Sequence, residues 1–320
     1  MAFLDVHDLS VGIGTLQPLD RISFALDKGQ ILGLVGESGS GKSLTAMGLM
    51  GLLPLIGGRV TGGSIRLDGS ELTDLAEPAY RALRGRRMAL ISQNPMTSLD
   101  PMVRVGEQVD QVSRMHLGLS GAAARSRSID LLTQLRIPEA ATVHRQYPHQ
   151  MSGGMKQRVV IAMALAGDPE LIIADEPTTA LDVTIQAQII QILVDLVRSR
   201  GLALVLITHD MGVVAQACDR VVVLYAGRVA EANVVADIFA RPAHPYTRSL
   251  IECIPRDGQA PGSLKGIPGI VPSVGNYAAG CRFHPRCALA QAVCQQQVPP
   301  LQTQGQGQVA CHFSAAPSDG

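Results

Sequence analysis

Five residues, Ile31-Leu32-Gly33-Leu34-Val35, run directly into Gly36-Glu37-Ser38-Gly39-Ser40-Gly41-Lys42-Ser43, and a helix-prone apolar stretch over 44–53 follows before Pro54. No other feature constrains the fold as much. A short apolar run ending in glycines reads as a buried strand, and an apolar stretch stopped by proline reads as a helix. The glycines let the backbone curl until several N–H groups face one anion, and the helix adds its N-terminal partial positive charge. G-x-x-x-x-G-K-S between a strand and a helix is the pattern of a phosphate loop. A Gly/Ser-rich surface loop would need neither the lysine and serine nor the two flanking elements.

Residues 171–174, 203–207 and 221–224 are further short apolar runs, rich in β-branched residues, as expected for strands buried on both faces of a parallel sheet. Between two of them Ile185, Ile189, Ile192, Leu193, Leu196 and Val197 recur at helical spacing. Strand, helix, strand in alternation predicts an α/β fold. Before the phosphate loop and after it, 3–6, 22–26 and 64–67 read as β-prone segments with turns at Asp27-Lys28-Gly29 and Asp68-Gly69. Residues from about 100 to 165 read as helical, with one helix marked by Ile129, Leu131, Leu132 and Leu135 and another opening over 159–166. From Pro255 onwards Gly, Pro, Gln and Ala dominate. The expected class is therefore an α/β P-loop NTPase with an N-terminal antiparallel β subdomain, a helical subdomain over about 96–165 and a loop-rich C-terminal cysteine module. The expected boundaries are 1–250 for the nucleotide domain and 251–320 for the module.

Composition excludes other classes. With 17% charged and 46% hydrophobic residues, and 27 basic against 27 acidic side chains, the chain is neither a disordered polyelectrolyte nor a polybasic nucleic-acid binder. No Trp and only five Phe and five Tyr leave few stacking surfaces for single strands. The richest apolar stretch, 44–56, is broken by Gly48, Gly51 and Pro54, so no spanning helix is expected, and the acidic start over 1–9 lacks the apolar region of a signal peptide. The expected compartment is the cytosol.

Asp175 and Glu176 close the run 171–174, the end of a parallel strand that faces a ligand crevice. There Asp175 can hold magnesium and Glu176 can polarise a water aimed at a γ-phosphate, while Lys42 reaches the β- and γ-phosphates and the Ser43 hydroxyl ligates the metal. Alone, Asp-Glu after a strand is an ordinary acidic turn; the upstream loop makes it catalytic. Ser152-Gly153-Gly154 before 155–158 makes a second anion-facing helix start. Gln93 follows the run 88–92, Ala180-Leu181-Asp182 follows the acid pair, and His209 follows the run 203–207.

In that order these motifs resemble an ABC-type ATPase subunit over residues 3 to about 250. The resemblance implies a Q-loop glutamine at Gln93, a signature at 151–155, a Walker B aspartate at Asp175, a catalytic Glu176, a D-loop at Ala180-Leu181-Asp182 and a switch histidine at His209. It implies catalytic roles for Glu176, His209 and Gln93, and magnesium held by Ser43, Gln93 and Asp175. ATP contacts are implied for 36–43, Gln93, Asp175, Ile13, Ser152, Gly153, Gly154 and Asp182, the signature completing the site of a partner ATPase. Two departures stand out. The signature reads Met-Ser-Gly-Gly-Met where Leu-Ser-Gly-Gly-Gln is commoner, keeping the Ser-Gly-Gly core. Val11-Gly12-Ile13 stands where an aromatic residue usually stacks on adenine, so Ile13 offers apolar contact without π stacking.

Asn94-Pro95-Met96-Thr97-Ser98-Leu99-Asp100-Pro101, His244-Pro245-Tyr246-Thr247-Arg248-Ser249-Leu250, Gly280-Cys281-Arg282-Phe283-His284-Pro285-Arg286-Cys287 and Ala310-Cys311-His312 are similar to segments of the dipeptide/oligopeptide/nickel group of bacterial import ATPases. That similarity implies a subunit on the cytoplasmic face of the inner membrane that energises uptake of peptides, or of nickel or metal–chelator complexes. Its implied partners are a second, related ATPase in a heterodimer, two transmembrane permeases and an extracytoplasmic substrate-binding protein, with no nucleic acid. The alternative is a soluble ABC ATPase of repair or translation type. Only about 110 residues separate Lys42 from Ser152, too few for the long coiled coil of repair members, and translation members carry two cassettes. The signature and His209 argue against a metabolic kinase.

Cys281, Cys287, Cys294 and Cys311 are spaced C-x5-C-x6-C-x16-C. Four thiolates suit a 4Fe-4S cluster or zinc. Structural zinc sites usually pair cysteines two to four residues apart, and no such pair exists here. The spacing and the family resemblance both tilt towards iron–sulfur, in a structural role that gives a module with few apolar side chains an organising centre.

Overall fold

The computed structural model describes residues 2–179, 181–255 and 266–314. Among them the strands are, in chain order, β1 (Leu4–Ile13), β2 (Leu16–Leu26), β3 (Ile31–Val35), β4 (Gly58–Leu67), β5 (Ser70–Glu71), β6 (Met88–Ile91), β7 (Leu171–Asp175), β8 (Ala203–Thr208), β9 (Arg220–Tyr225), β10 (Arg228–Val234), β11 (Gln302–Gln304) and β12 (Gly307–Val309). The chain forms two compact units, one of residues 1–27, 31–74 and 208–320, the other of 28–30 and 75–207.

In the first unit an antiparallel sheet runs β2-β1-β4-β5. The sequence pattern predicts only the ends of its long strands. β1 carries a register shift after Val6, with Asp8 in the left-handed region at φ 46°, and Arg21 on β2 does the same at φ 51°. Such bulges reset the two-residue alternation by which a strand is recognised. A second set of strands runs β11-β12-β10-β9-β3, with β3 and β9 parallel and the rest antiparallel. All five residues of β3 are buried. The helix after the phosphate loop, Lys42–Leu49, ends earlier than expected, because Gly51 at φ 63° turns the chain and Pro54 opens a separate 3-10 turn, Leu53–Ile56.

The C-terminal stretch holds the β11–β12 hairpin. β12 pairs with β10 through Glu231–Val309 and Ala232–Gln308, and the Ala310 N–H donates to the Ala230 carbonyl at 2.9 Å. Phe283 of this stretch lies in a core with Val35, Tyr225, Tyr246 and Ile251.

The second unit contains parallel β6, β7 and β8 in the order β8-β7-β6. All six residues of β8 and the first four of β7 are buried, which explains their continuous apolarity. The helices Val105–Leu117, Gly121–Gln134 and Gly153–Ala166 form the expected helical region, and Val183–Arg200 buries Ile189, Ile192, Leu193, Leu196 and Val197 at the predicted spacing. Glu170 accepts from Lys28 Nζ at 2.6 Å and from Arg87 Nη2 at 3.4 Å, and it forms an ion pair with Arg87 Nε at 2.6 Å, tying the entrances of β7 and β6. No helix among the described residues is long and apolar enough to cross a membrane.

Candidate nucleotide site

In the first unit, β3 delivers the chain into a curl over 36–43. Gly36, Gly39 and Gly41 lie at φ 152°, 82° and 107°. A Cβ on Gly36 would sit 2.2 Å from the Leu224 carbonyl oxygen, and one on Gly41 would sit 2.4 Å from Leu19 Cδ2. Both positions need glycine for space as well as for backbone freedom. Lys42 is buried and its Nζ donates to the carbonyls of Gly36 and Glu37 at 2.8 and 3.1 Å, so the ammonium is held inside the curl. No side chain caps the helix that starts at Lys42, which leaves its first N–H groups facing the loop. Ser38 and Ser43 lie on the same segment, and the Ser40 carbonyl accepts from the Gly227 N–H at 2.9 Å.

Glu37 meets two partners that the sequence does not announce, one at its side chain and one at its backbone. Arg286 grips its carboxylate with both terminal nitrogens, at 2.7 and 3.0 Å, and the Glu37 N–H donates to the Tyr246 hydroxyl at 2.9 Å. His209, exposed, follows β8 in a turn whose next residue, Asp210, caps the helix Met211–Ala217. Ile13 ends β1, opposite Leu16 and Gly58.

In the second unit β7 ends at Asp175, and Glu176 turns into the left-handed region at φ 46° with its N–H on the Ile207 carbonyl at 3.0 Å. Glu176 Oε2 accepts from Gln93 Nε2 at 3.1 Å and from Thr179 Oγ1 at 2.9 Å. The structure thus brings Gln93 to the acid pair, and it adds Thr179, three residues beyond the acid, which sequence reasoning missed. Ser152 caps the helix Gly153–Ala166, its Oγ accepting from the Met155 N–H at 3.3 Å. Ser152, Gly153, Gly154, Met155, Arg158 and Asp182 line one cleft of about 630 Å³. A Cβ on Gly154 would meet Ile185 Cγ2 at 2.7 Å, so the second glycine lets this helix lie against the next. Of the expected D-loop, Asp182 precedes the helix Val183–Arg200, whereas Ala180 lies outside the described residues.

The four tail cysteines converge. Cys281, Cys287, Cys294 and Cys311 line a single small cavity of about 20 Å³ together with Phe283 and His244. Burial pushes the thiols of Cys281, Cys287 and Cys311 up, and the neighbouring Cys294 raises each further. The Cys281 N–H donates to the Cys294 carbonyl at 2.8 Å. Among the described residues, however, no group of three or more His, Cys, Asp or Glu side chains is placed so that it could hold a metal ion.

A strand, a glycine curl around a lysine, and a second strand closed by two acids define a P-loop nucleotide hydrolase, and the Ser-Gly-Gly helix cap gives it the features of an ATP-binding cassette. The comparisons agree. Residues 19–179 match the ABC transporter model and 230–294 the oligopeptide/dipeptide transporter C-terminal region. The chain is 45% identical over 318 residues to the dipeptide transport ATP-binding protein DppD of Escherichia coli, covering 98% of this chain and 97% of that one. It is 46% identical over 290 residues to the oligopeptide transport ATP-binding protein AppD of Bacillus subtilis, covering 90% and 88%. Among solved structures it resembles the dimeric, post-hydrolysis ATP-binding cassette MJ0796 bound to ADP and Pi, with a TM-score of 0.64 and 27% identity over 72% of this chain and 98% of that one. The chain belongs to the ABC transporter family, ATP hydrolases coupled to transport, and carries the C-terminal region of its oligopeptide/dipeptide group.

Proposed function

We propose that this chain is the ATP-hydrolysing subunit of a bacterial importer for dipeptides or oligopeptides, seated at the cytoplasmic face of the inner membrane. The observation that carries this reading is the alignment with peptide-transport ATP-binding proteins at about 45% identity through both the cassette and the C-terminal region. Residues 1–250 serve as the ATPase domain, with about 96–165 as its helical subdomain, and 251–320 as the C-terminal module.

Within the cassette, residues 36–43 bind the phosphates and Ile13 contacts the adenine. Ser43, Gln93 and Asp175 would hold magnesium, which when bound neutralises phosphate charge. The oxygen ligands of these three side chains suit that hard cation. Glu176 polarises the attacking water and takes its proton as the water oxygen bonds to the γ-phosphorus and the bond to the ADP oxygen breaks. The hydrogen bonds from Gln93 and Thr179 aim that carboxylate. His209 faces the γ-phosphate, and Ser152, Gly153, Gly154 and Asp182 serve the ATP held by a second, related ATPase subunit. Two permeases receive the motion, and an extracytoplasmic binding protein delivers the peptide.

Cys281, Cys287, Cys294 and Cys311 would hold a 4Fe-4S cluster, with zinc as the competing metal. Thiolate is a donor suited to either, and the four cysteines line one cavity, so ligation requires their side chains to close on the metal from the placement seen here. When bound, such a centre cross-links the loops of the module. The functional reading is tested by reconstituting the chain with its neighbouring permeases, ATPase and binding protein. Dipeptide should stimulate ATP hydrolysis, and a complex indifferent to peptides would refute the assigned cargo.

A further inference from the structure

Glu37 puts a carboxylate into a loop whose other groups favour an anion. That charge opposes phosphate binding unless something neutralises it. Arg286 does so. It pairs with Glu37 through both terminal nitrogens at 2.7 and 3.0 Å, and its side chain is only 6% exposed. The guanidinium is fixed on its other sides. Its Nε donates to the Pro268 carbonyl at 2.7 Å, one terminal nitrogen donates to the Gly269 carbonyl at 3.3 Å, and the group lies over the Tyr225 ring at 5.7 Å. A planar fork held in this way keeps its geometry when the carboxylate moves, which a lysine would not do.

The same loop residue is held at its backbone by Tyr246. Tyr246, Tyr225 and Phe283 form one aromatic cluster, with ring centroids 4.8, 5.1 and 5.3 Å apart. A chain with only ten Phe and Tyr residues thus gathers three of them in one cluster, in which Tyr246 bonds the phosphate loop and Phe283 belongs to the segment 281–287. Phe283 and Arg286 lie between Cys281 and Cys287, so the cysteine-bearing segment and the anchor of Glu37 are one piece of chain.

We infer that Arg286 is a positioning residue of the phosphate loop: it neutralises and fixes Glu37, and through it the C-terminal module sets the affinity for nucleotide. The inference rests on the reading of 36–43 as the nucleotide loop. It deepens that reading by assigning the module a part in nucleotide binding.

The test is calorimetric titration of the purified full-length chain with MgADP at low and high salt. Arg286→Gln leaves the Glu37 charge uncompensated and should weaken binding about tenfold at low salt, with a smaller loss at high salt. Adding Glu37→Gln removes the offending charge and should restore affinity to within about threefold of the parent. A module that merely supports the fold would not be rescued by changing the loop. Parental affinity in Arg286→Gln, or a double variant no tighter than the single, would overturn the inference. Should Arg286→Gln fail to fold, Arg286→Met, which also removes the charge, is titrated in its place, with the same rescue by Glu37→Gln required. Lys42→Ala serves as the separate check: if it still binds MgADP, the assignment of the nucleotide loop itself fails, however Arg286 behaves.

Discussion

Tyr246 is fully buried, and its hydroxyl is the acceptor for the Glu37 N–H. Tyr246→Phe keeps the ring in its aromatic cluster but orphans a backbone donor, a loss of about 1–2 kcal/mol of stability. Thermal unfolding of the variant should show that loss as a lower Tm, and an unchanged Tm would deny the bond its role. Asp20 gives the residue scale a pH dependence. Burial opposes its ionisation, but Arg228, at 2.6 Å, and Arg282, at 3.4 Å, prevail and hold its carboxyl below the usual carboxylate range. A lowered folded value means that the stabilisation is present above the unfolded carboxylate value of about 4 and disappears as the pH falls through the folded one. Asp20→Asn should therefore cost about 3 kcal/mol at pH 7, where two arginines lose their partner. The gap to the parent should close below about pH 4, as followed by urea unfolding across pH.

At the scale of elements, the legible parts were those in which one local rule sufficed. β3, β7 and β8 announce themselves because strands buried on both faces are apolar throughout, and the glycine curl because a phosphate loop needs its glycines, lysine and serine adjacent in sequence. β1 and β2 were half legible, since the bulge at Asp8 and the turn of backbone at Arg21 hide their alternation. The β11–β12 hairpin was not legible. Its six strand residues include three glutamines, and only the edge of β10 gives it a reason to form. Of the site, Gln93 and Glu176 were legible as separate motifs, whereas the Arg286–Glu37 pair spans 249 residues and no local pattern reports it. The cysteine spacing was legible, and the four cysteines line one cavity, although among the described residues no three of them are grouped so that they could hold a metal ion. The proposed 4Fe-4S cluster is checked at this scale. Anaerobically purified chain should be brown with about four irons per chain, and Cys287→Ser should lose the colour. A colourless preparation with one zinc per chain would leave only the four-cysteine site standing.

For the whole molecule, the reading makes the chain one half of an ATPase pair docked on permeases. The segment Pro95–Ser98 follows Gln93 after Asn94, which caps it by accepting from the Met96 N–H, and Met96 is exposed. Crosslinkers placed at Thr97 or Ser98 should capture a permease in the assembled complex, and capture of none would remove this surface from the docking site. A purified chain that forms a stable, fully active homodimer would likewise remove the heterodimer. The central claim is that the acid closing β7, held by Gln93 and Thr179, drives ATP hydrolysis at a site it does not itself build. Steady-state ATP turnover measured beside ATP binding in Glu176→Gln tests it most directly. The amide leaves the phosphate contacts in place but takes no proton from water, so binding should persist while turnover falls by a factor of at least about 100. Turnover close to that of the parent would contradict the account.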